Sequence, residues 1–182
     1  MKTEPKLYDN FPVGIILLSN GLSLILYVLG FAIIARLHIL LAVGYLLYCF
    51  YMEMNLLRGS CVHCFYYGKV CAFGKGMLCS LLFKRGDPKQ FIERTVSWRE
   101  IIPDIMVLLF PLVAGTVALV RHFTWPLLFL MAGLTAFSLA GNGIVRGTFT
   151  CPHCRQRELG CPAEKLFRGK EARTACSGDA HP

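Results

Sequence analysis

Cys61, His63, Cys64 and Cys71 form a Cys-x-His-Cys-x₆-Cys segment, and Cys151, His153, Cys154 and Cys161 repeat it at one constant offset. Thiols and imidazoles at this density do two kinds of chemistry: they bind soft metals, or they exchange electrons as dithiols. A redox pair needs two sulfurs, so the third cysteine in each copy points to metal. Zinc takes four Cys or His ligands in a tetrahedron, and each copy offers three cysteines and a histidine. All eight residues are therefore candidate metal ligands. Each histidine is adjacent to a cysteine, and adjacent residues seldom both reach one ion. A position behind the ligands, or facing away, is thus open to His63 and His153. Cys79 is the alternative fourth ligand in the first half and has no counterpart in the second. On a helix, the three cysteines of each copy would share one narrow face.

The doubled Cys-x₂-Cys-x₆-Cys spacing resembles that of the fungal zinc-cluster transcription factors. The resemblance covers only the six cysteines. It implies that this spacing can hold two zinc ions between pseudo-symmetric halves, and nothing about DNA carries over. An iron–sulfur cluster, usually held by four thiolates, is the alternative cofactor. The ligand types do not separate iron from zinc.

The elements that must position these sites are apolar. Hydrophobic residues make up 55% of the chain and charged residues 16%, outside the range of an ordinary soluble domain. A membrane span needs roughly 20 mostly apolar residues. Four runs meet that length: Phe11 to Ala35, Ile39 to about Leu57, Ile101 to Val120, and Leu127 to Val145. The predicted fold is an all-α integral membrane protein with four transmembrane helices in two tandem hairpin repeats. Pseudo-twofold symmetry is expected between the repeats, and each hairpin leads into a cytoplasmic Cys-rich metal-binding segment. The divisions are an N-terminus (1–10), hairpin 1 (11–57), a Cys-rich loop with a membrane-surface segment (58–100), hairpin 2 (101–145), and a Cys-rich segment with a flexible tail (146–182). The first run has a mixed-charge start and no small-x-small site after it, so it is expected to remain as a span.

Basic residues orient the spans. The loop from Tyr51 to Glu100 holds eight Lys/Arg and the region from Gly143 onward seven, whereas the two hairpin turns hold only Arg36 and Arg121. Both termini and the central loop are therefore expected in the cytoplasm of a cell inner or plasma membrane. Eight of the nine cysteines, all but Cys49, then face a reducing compartment, where structural disulfides are rare. The basic residues flank spans and form no separate basic domain, which argues against a nucleic-acid partner.

Within the spans, Asn20 and Asn142 are expected to face the bundle interior and bond between helices, and Ala132, Ala136 and Ala140, with Gly133, Ser138 and Gly141 beside them, to allow close helix approach. Pro111 is expected to kink the third span. Tyr48, Tyr51, Trp98 and Trp125 read as interfacial anchors, Cys49 as inert core, and Glu53 as a charge reaching the interface. His38 and His122 read as anchors in the outer turns, with an anion, metal or quinone contact as the alternative. Cys176 and His181 read as incidental.

No nucleotide loop, dinucleotide fingerprint, haem attachment site or Ser/His/Asp arrangement stands out, so no enzyme class is assigned. The expected function is a metal-binding membrane protein, structural or an accessory subunit of a membrane complex. Its partners are the lipid bilayer and a membrane-protein partner or a second copy. One alternative is a thiol/quinone oxidoreductase, since the outline resembles the quinone-linked disulfide-forming enzymes; those keep their thiols on the oxidising side. A further alternative is a soft-metal transporter, for which the spans offer little beyond Asn20, Cys49 and Asn142.

Overall fold

The computed structural model describes residues 6–94 and 98–162. Cys176, His181, the polar tail and the Trp98 side chain lie outside the described parts. Helices α1 (Val13–Ala35) and α2 (Ile39–Gly59) form a first hairpin, and short helices α3 (Lys75–Leu82) and α4 (Pro88–Glu93) occupy the central loop. Helices α5 (Trp98–Arg121) and α6 (Trp125–Ala136) form a second hairpin. The fold is all-helical, with one isolated backbone bridge, Tyr8 to Cys154, among the described residues. Beyond α6 the chain stays helical but widens into π-helical turns at Phe137–Gly141 and Val145–Thr150. Four segments are long and apolar enough to cross a membrane: Val13–Ala35, Ile39–His63, Ile101–Arg121 and Trp125–His153. The second and fourth run further than the apolar pattern alone marks. Helix continues through Gly59 and Thr150 straight into the cysteine turns, so neither motif hangs on a linker.

Helix α1 is central and packs against α2, α5 and α6. One core cluster joins Ile33, Ala118, Leu127 and Leu134, and a second joins Ile34, Ala42, Tyr45 and Cys49. Cys49 is buried in that packing, as expected of an inert core thiol. The outer surfaces expose Leu17, Leu24, Leu47, Phe50 and Phe129, residues that favour hydrocarbon over water.

The interior polar groups follow from one proline. Pro111 has no N–H, so it cannot bond the carbonyl of Val107 one turn earlier. The Tyr45 hydroxyl donates to that carbonyl instead, at 3.0 Å. This brings the Tyr45 ring against α1 at Gly30, where even a single Cβ would come within 2.5 Å of the phenol oxygen. Pro111, Tyr45 and Gly30 thus form one unit across α5, α2 and α1. Tyr48 likewise donates to the Pro103 carbonyl at 2.8 Å, so it ties α2 to α5 besides lying near a span end.

Two expectations about small and polar span residues are corrected. Ala132, Ala136 and Ala140 line an outward groove of about 490 Å³ beside Leu112 and Leu128, and no helix among the described residues fills it. The close approaches fall at Gly30 and Gly115, and at Gly141, one of the small residues expected to allow them. Asn20 and Asn142 make no bond between spans. Asn20 donates to its own helix at Ile16 and to the Phe73 carbonyl of the central loop, at 3.2 Å. Asn142 donates to Ser138 on its own helix.

Gly74, at φ +66°, turns the chain into α3. Directly after it, a Cβ on Gly76 would run into the carbonyl oxygens of Tyr66 and Lys69. Backbone cannot yield as a side chain can, so Gly76→Ala is expected to destabilise the loop by about 1–3 kcal/mol. Thermal unfolding of the full chain in detergent measures it.

Candidate thiol site

Each motif opens with a single 3₁₀ turn, Cys61–His63 and Cys151–His153. The turns are closed by Cys64 N–H to Cys61 O at 3.3 Å and Cys154 N–H to Cys151 O at 3.2 Å. Cys64 (φ −78°, ψ 152°) and Cys154 (φ −85°, ψ 119°) then leave in extended conformation. The motifs are therefore not α-helical, and the expected single stripe of three cysteines does not form. Gly68 (φ 73°) and Gly160 (φ 103°), in the left-handed region, reverse the chain before Cys71 and Cys161.

The two motifs meet face to face. The Phe65 amide donates to Gln156 Oε1 at 2.7 Å, and the Arg155 amide donates to the Tyr66 hydroxyl at 3.0 Å. Phe65 and Arg155 each follow the second cysteine of a motif by one position; Tyr66 and Gln156 each follow it by two. Each copy thus offers its first amide to the next side-chain oxygen of the other copy. Both acceptors are buried, Tyr66 at 2% and Gln156 at 4% exposure. Cys64 and Cys154 flank this pair of bonds.

The N-terminal segment is threaded into the same junction. Tyr8 N–H donates to His153 O at 3.0 Å, and Phe11 N–H donates to Val70 O at 3.0 Å. Asn10 Oδ1 accepts from the Val70 amide at 3.0 Å, and Arg155 is ion-paired with Asp9. Tyr66 completes the seam by donating to Tyr8 O at 2.6 Å. Phe11, Tyr66 and Ala72 form a small core over which Cys64, Cys71 and Cys154 pack.

The sulfurs share this neighbourhood. Cys64 lies close enough to Cys154, Cys71 and Cys161 to feel a charge on any of them. Cys61 has Cys71, Cys79 and Cys64 as sulfur neighbours, while Cys79 is fully buried and donates weakly to Leu57 O. Burial pushes the Cys64 thiol up to about 12, with neighbouring sulfurs adding to the shift and a main-chain hydrogen bond from Tyr66 opposing it. Burial likewise pushes Cys154 up to about 11, opposed by main-chain bonds from Gln156 and Arg157. Amides aimed at sulfur favour the thiolate, the form that binds metal. Among the described residues, no group of three or more His, Cys, Asp or Glu is gathered tightly enough to hold a metal ion.

These shifts predict a labelling order. Alkylation needs the thiolate, and a raised pKa means little thiolate near neutral pH. At pH 8, iodoacetamide is expected to modify the exposed Cys151 well before Cys64 and Cys154. Their rates should rise about tenfold per pH unit toward the raised values. Peptide mapping of the metal-free full chain reads the order.

The histidines are turned onto main chain. His63 Nδ1 lies 2.9 Å from Asp87 O, and Gly86 N–H donates to Val62 O beside it. His153 Nδ1 lies 2.7 Å from Lys6 O, beside the Tyr8 bond to His153 O. Each imidazole therefore clamps an incoming segment. Donation from Nδ1 to a carbonyl would leave Nε2 as the free acceptor.

Beneath the thiols sits a charge cluster. Glu53 accepts from the Tyr27 hydroxyl at 2.6 Å and is ion-paired with Lys75. Arg146 and Asp104 lie within electrostatic reach, and the Phe73 ring lies between Lys75 and Arg146 at 5.7 and 5.5 Å. Glu53 is thus a bundle-to-loop anchor, more than a charge reaching the interface. Tyr66 and Gln156 carry no motif signature in the sequence because they differ in type. Their equal placement in the two copies was the available signal. Comparison of the chain with known protein families, with curated proteins and with solved structures finds no match.

Proposed function

We propose that this chain is an integral membrane protein whose two cysteine motifs form one shared thiolate site for a soft metal at a single membrane face. Zinc is the first candidate and an iron–sulfur cluster the second. The observation that carries the reading is the reciprocal pair, Phe65 to Gln156 and Arg155 to Tyr66, with Cys64 and Cys154 beside it. Reciprocity of this kind is what a duplicated hairpin-plus-motif unit with a pseudo-twofold axis produces. Cys64, Cys71, Cys154 and Cys161 are the central ligands, with Cys61 and Cys151 at the two ends. The clamped histidines supply Nε2 as further donors if the turns close around an ion. The density of basic residues in the central loop and after Gly143 supports a cytoplasmic reading of this face. In this reading the metal ties the two hairpins together, so metal binding and folding are coupled, as suits a structural or accessory subunit of a membrane complex.

Elemental analysis and an absorption spectrum of the purified full chain test this. Stoichiometric zinc in colourless protein, or iron with visible absorption, supports the proposal. Metal-free protein that reversibly loses two thiols supports a second reading, a thiol oxidoreductase. That reading draws on the proximity of free Cys64 and Cys154.

A further inference from the structure

At the end of the bundle away from the thiols, the start of α2 and the end of α5 enclose a groove of about 570 Å³. Its walls are Leu37, Leu40, Leu41 and Val117, and its polar groups are His38 and Arg121. His38 Nδ1 accepts from the Leu40 amide at 3.2 Å, which places the ring proton on Nε2 and makes that nitrogen a donor. The Arg121 guanidinium meets no carboxylate among the described residues. The turns 36–38 and 121–124 contain Arg36, His38, Arg121 and His122 and no acidic residue at all. Here, then, are two donors and an uncompensated positive charge above an apolar floor, at the level where spans end. A free anion would use the donors and leave the leucines idle. A neutral lipid would use the leucines and leave the charge unmet.

We propose that this groove binds an anionic phospholipid, its phosphate on Arg121 and His38 Nε2 and an acyl chain along Leu40, Leu41 and Val117. Basic pockets between membrane helices recognise lipid head groups in this way. The proposal rests on the four helices crossing a bilayer, and not on the thiol chemistry.

The test uses the full chain in detergent and native mass spectrometry, with phosphatidylglycerol and phosphatidylcholine of matched acyl chains. Preferential retention of phosphatidylglycerol is expected, weakened roughly fivefold by Arg121→Gln. His38→Asn keeps an acceptor for the Leu40 amide while removing the Nε2 donor, and should also weaken retention. Leu41→Trp fills the groove with every charge intact, and should abolish the preference even if the charge variant folds poorly. Lys84→Gln, in the central loop, controls for net charge. Equal retention of the two lipids, an equal effect of Lys84→Gln, or displacement of the lipid by millimolar inorganic phosphate overturns the assignment.

Discussion

In the proposed shared site, Cys64→Ser is expected to strip metal from both halves of the molecule, not from one. Its thiol lies within electrostatic reach of Cys154 and Cys161 of the second motif besides Cys71 of its own. A ligand at that junction serves whatever is bound between the copies. Loss of a group that merely supports a ligand costs about 10–100-fold in affinity, and loss of the ligand itself should exceed about a hundredfold. Cys154→Ser should behave the same way, because Cys154 occupies the same place on the other copy. Cys49→Ala, buried in the helix core far along α2, should leave the metal content unchanged. Metal per chain after gel filtration reads the result. Retention of half the metal in Cys64→Ser would show two closed sites, one per motif, in place of a shared one.

The second large effect is on stability. The Tyr66 hydroxyl, 2% exposed, donates to Tyr8 O and accepts from the Arg155 amide. Tyr66→Phe keeps the ring but strands a part-buried carbonyl, that of Tyr8, and a part-buried amide, that of Arg155, together. A fully buried orphan costs about 1–3 kcal/mol and a part-buried one lies in the lower part of that range, so a loss of roughly 2–4 kcal/mol is expected for the two. For a chain of this length that lowers the melting temperature by roughly 5–15 °C. Tyr67→Phe is the comparison: its hydroxyl makes a single bond, to Phe83 O at 2.7 Å, and it should cost less. Gln156→Leu removes the reciprocal bond. Combined with Tyr66→Phe it should fall short of additivity, because both variants open one seam. An additive double variant would mean that the two bonds act independently.

These two effects bear on different levels of the molecule. The first probes whether the thiols of the two copies act together. The second probes the neutral hydrogen bonds that bring the copies together whether or not metal is present. A chain in which Tyr66→Phe also weakens metal binding would link the two, as expected where binding closes a preformed junction.

Much of the architecture is legible in composition. The apolar runs need only length and hydropathy to be recognised, and all four reappear as helices able to cross a membrane. Their ends are less legible. Apolar character fades at Leu57 and Val145, but hydrogen bonding carries the helix on to Gly59 and Thr150, since a helix ends where its backbone bonds end. Polar residues in spans were the least readable. Asn20 reaches out to the Phe73 carbonyl, and Tyr45 caps the carbonyl that Pro111 orphans. Such choices depend on which unpaired backbone group happens to lie opposite.

The residues capable of chemistry were determined by sequence alone: six cysteines and two histidines, doubled at a constant offset, each copy at the end of an apolar hairpin. An even number of apolar runs between the copies also predicts that both face one side. What only the tertiary structure decided is how they meet. The 3₁₀ turns, the glycine reversals and the N-terminal segment lying between the copies pack Cys64 and Cys154 on one small core and turn His63 and His153 onto main-chain carbonyls. The reason is physical. Spacing sets which side chains one backbone can bring near each other. The partner of a buried amide, such as Phe65 with Gln156, is set by a surface ninety residues away, and a linear pattern carries no record of it.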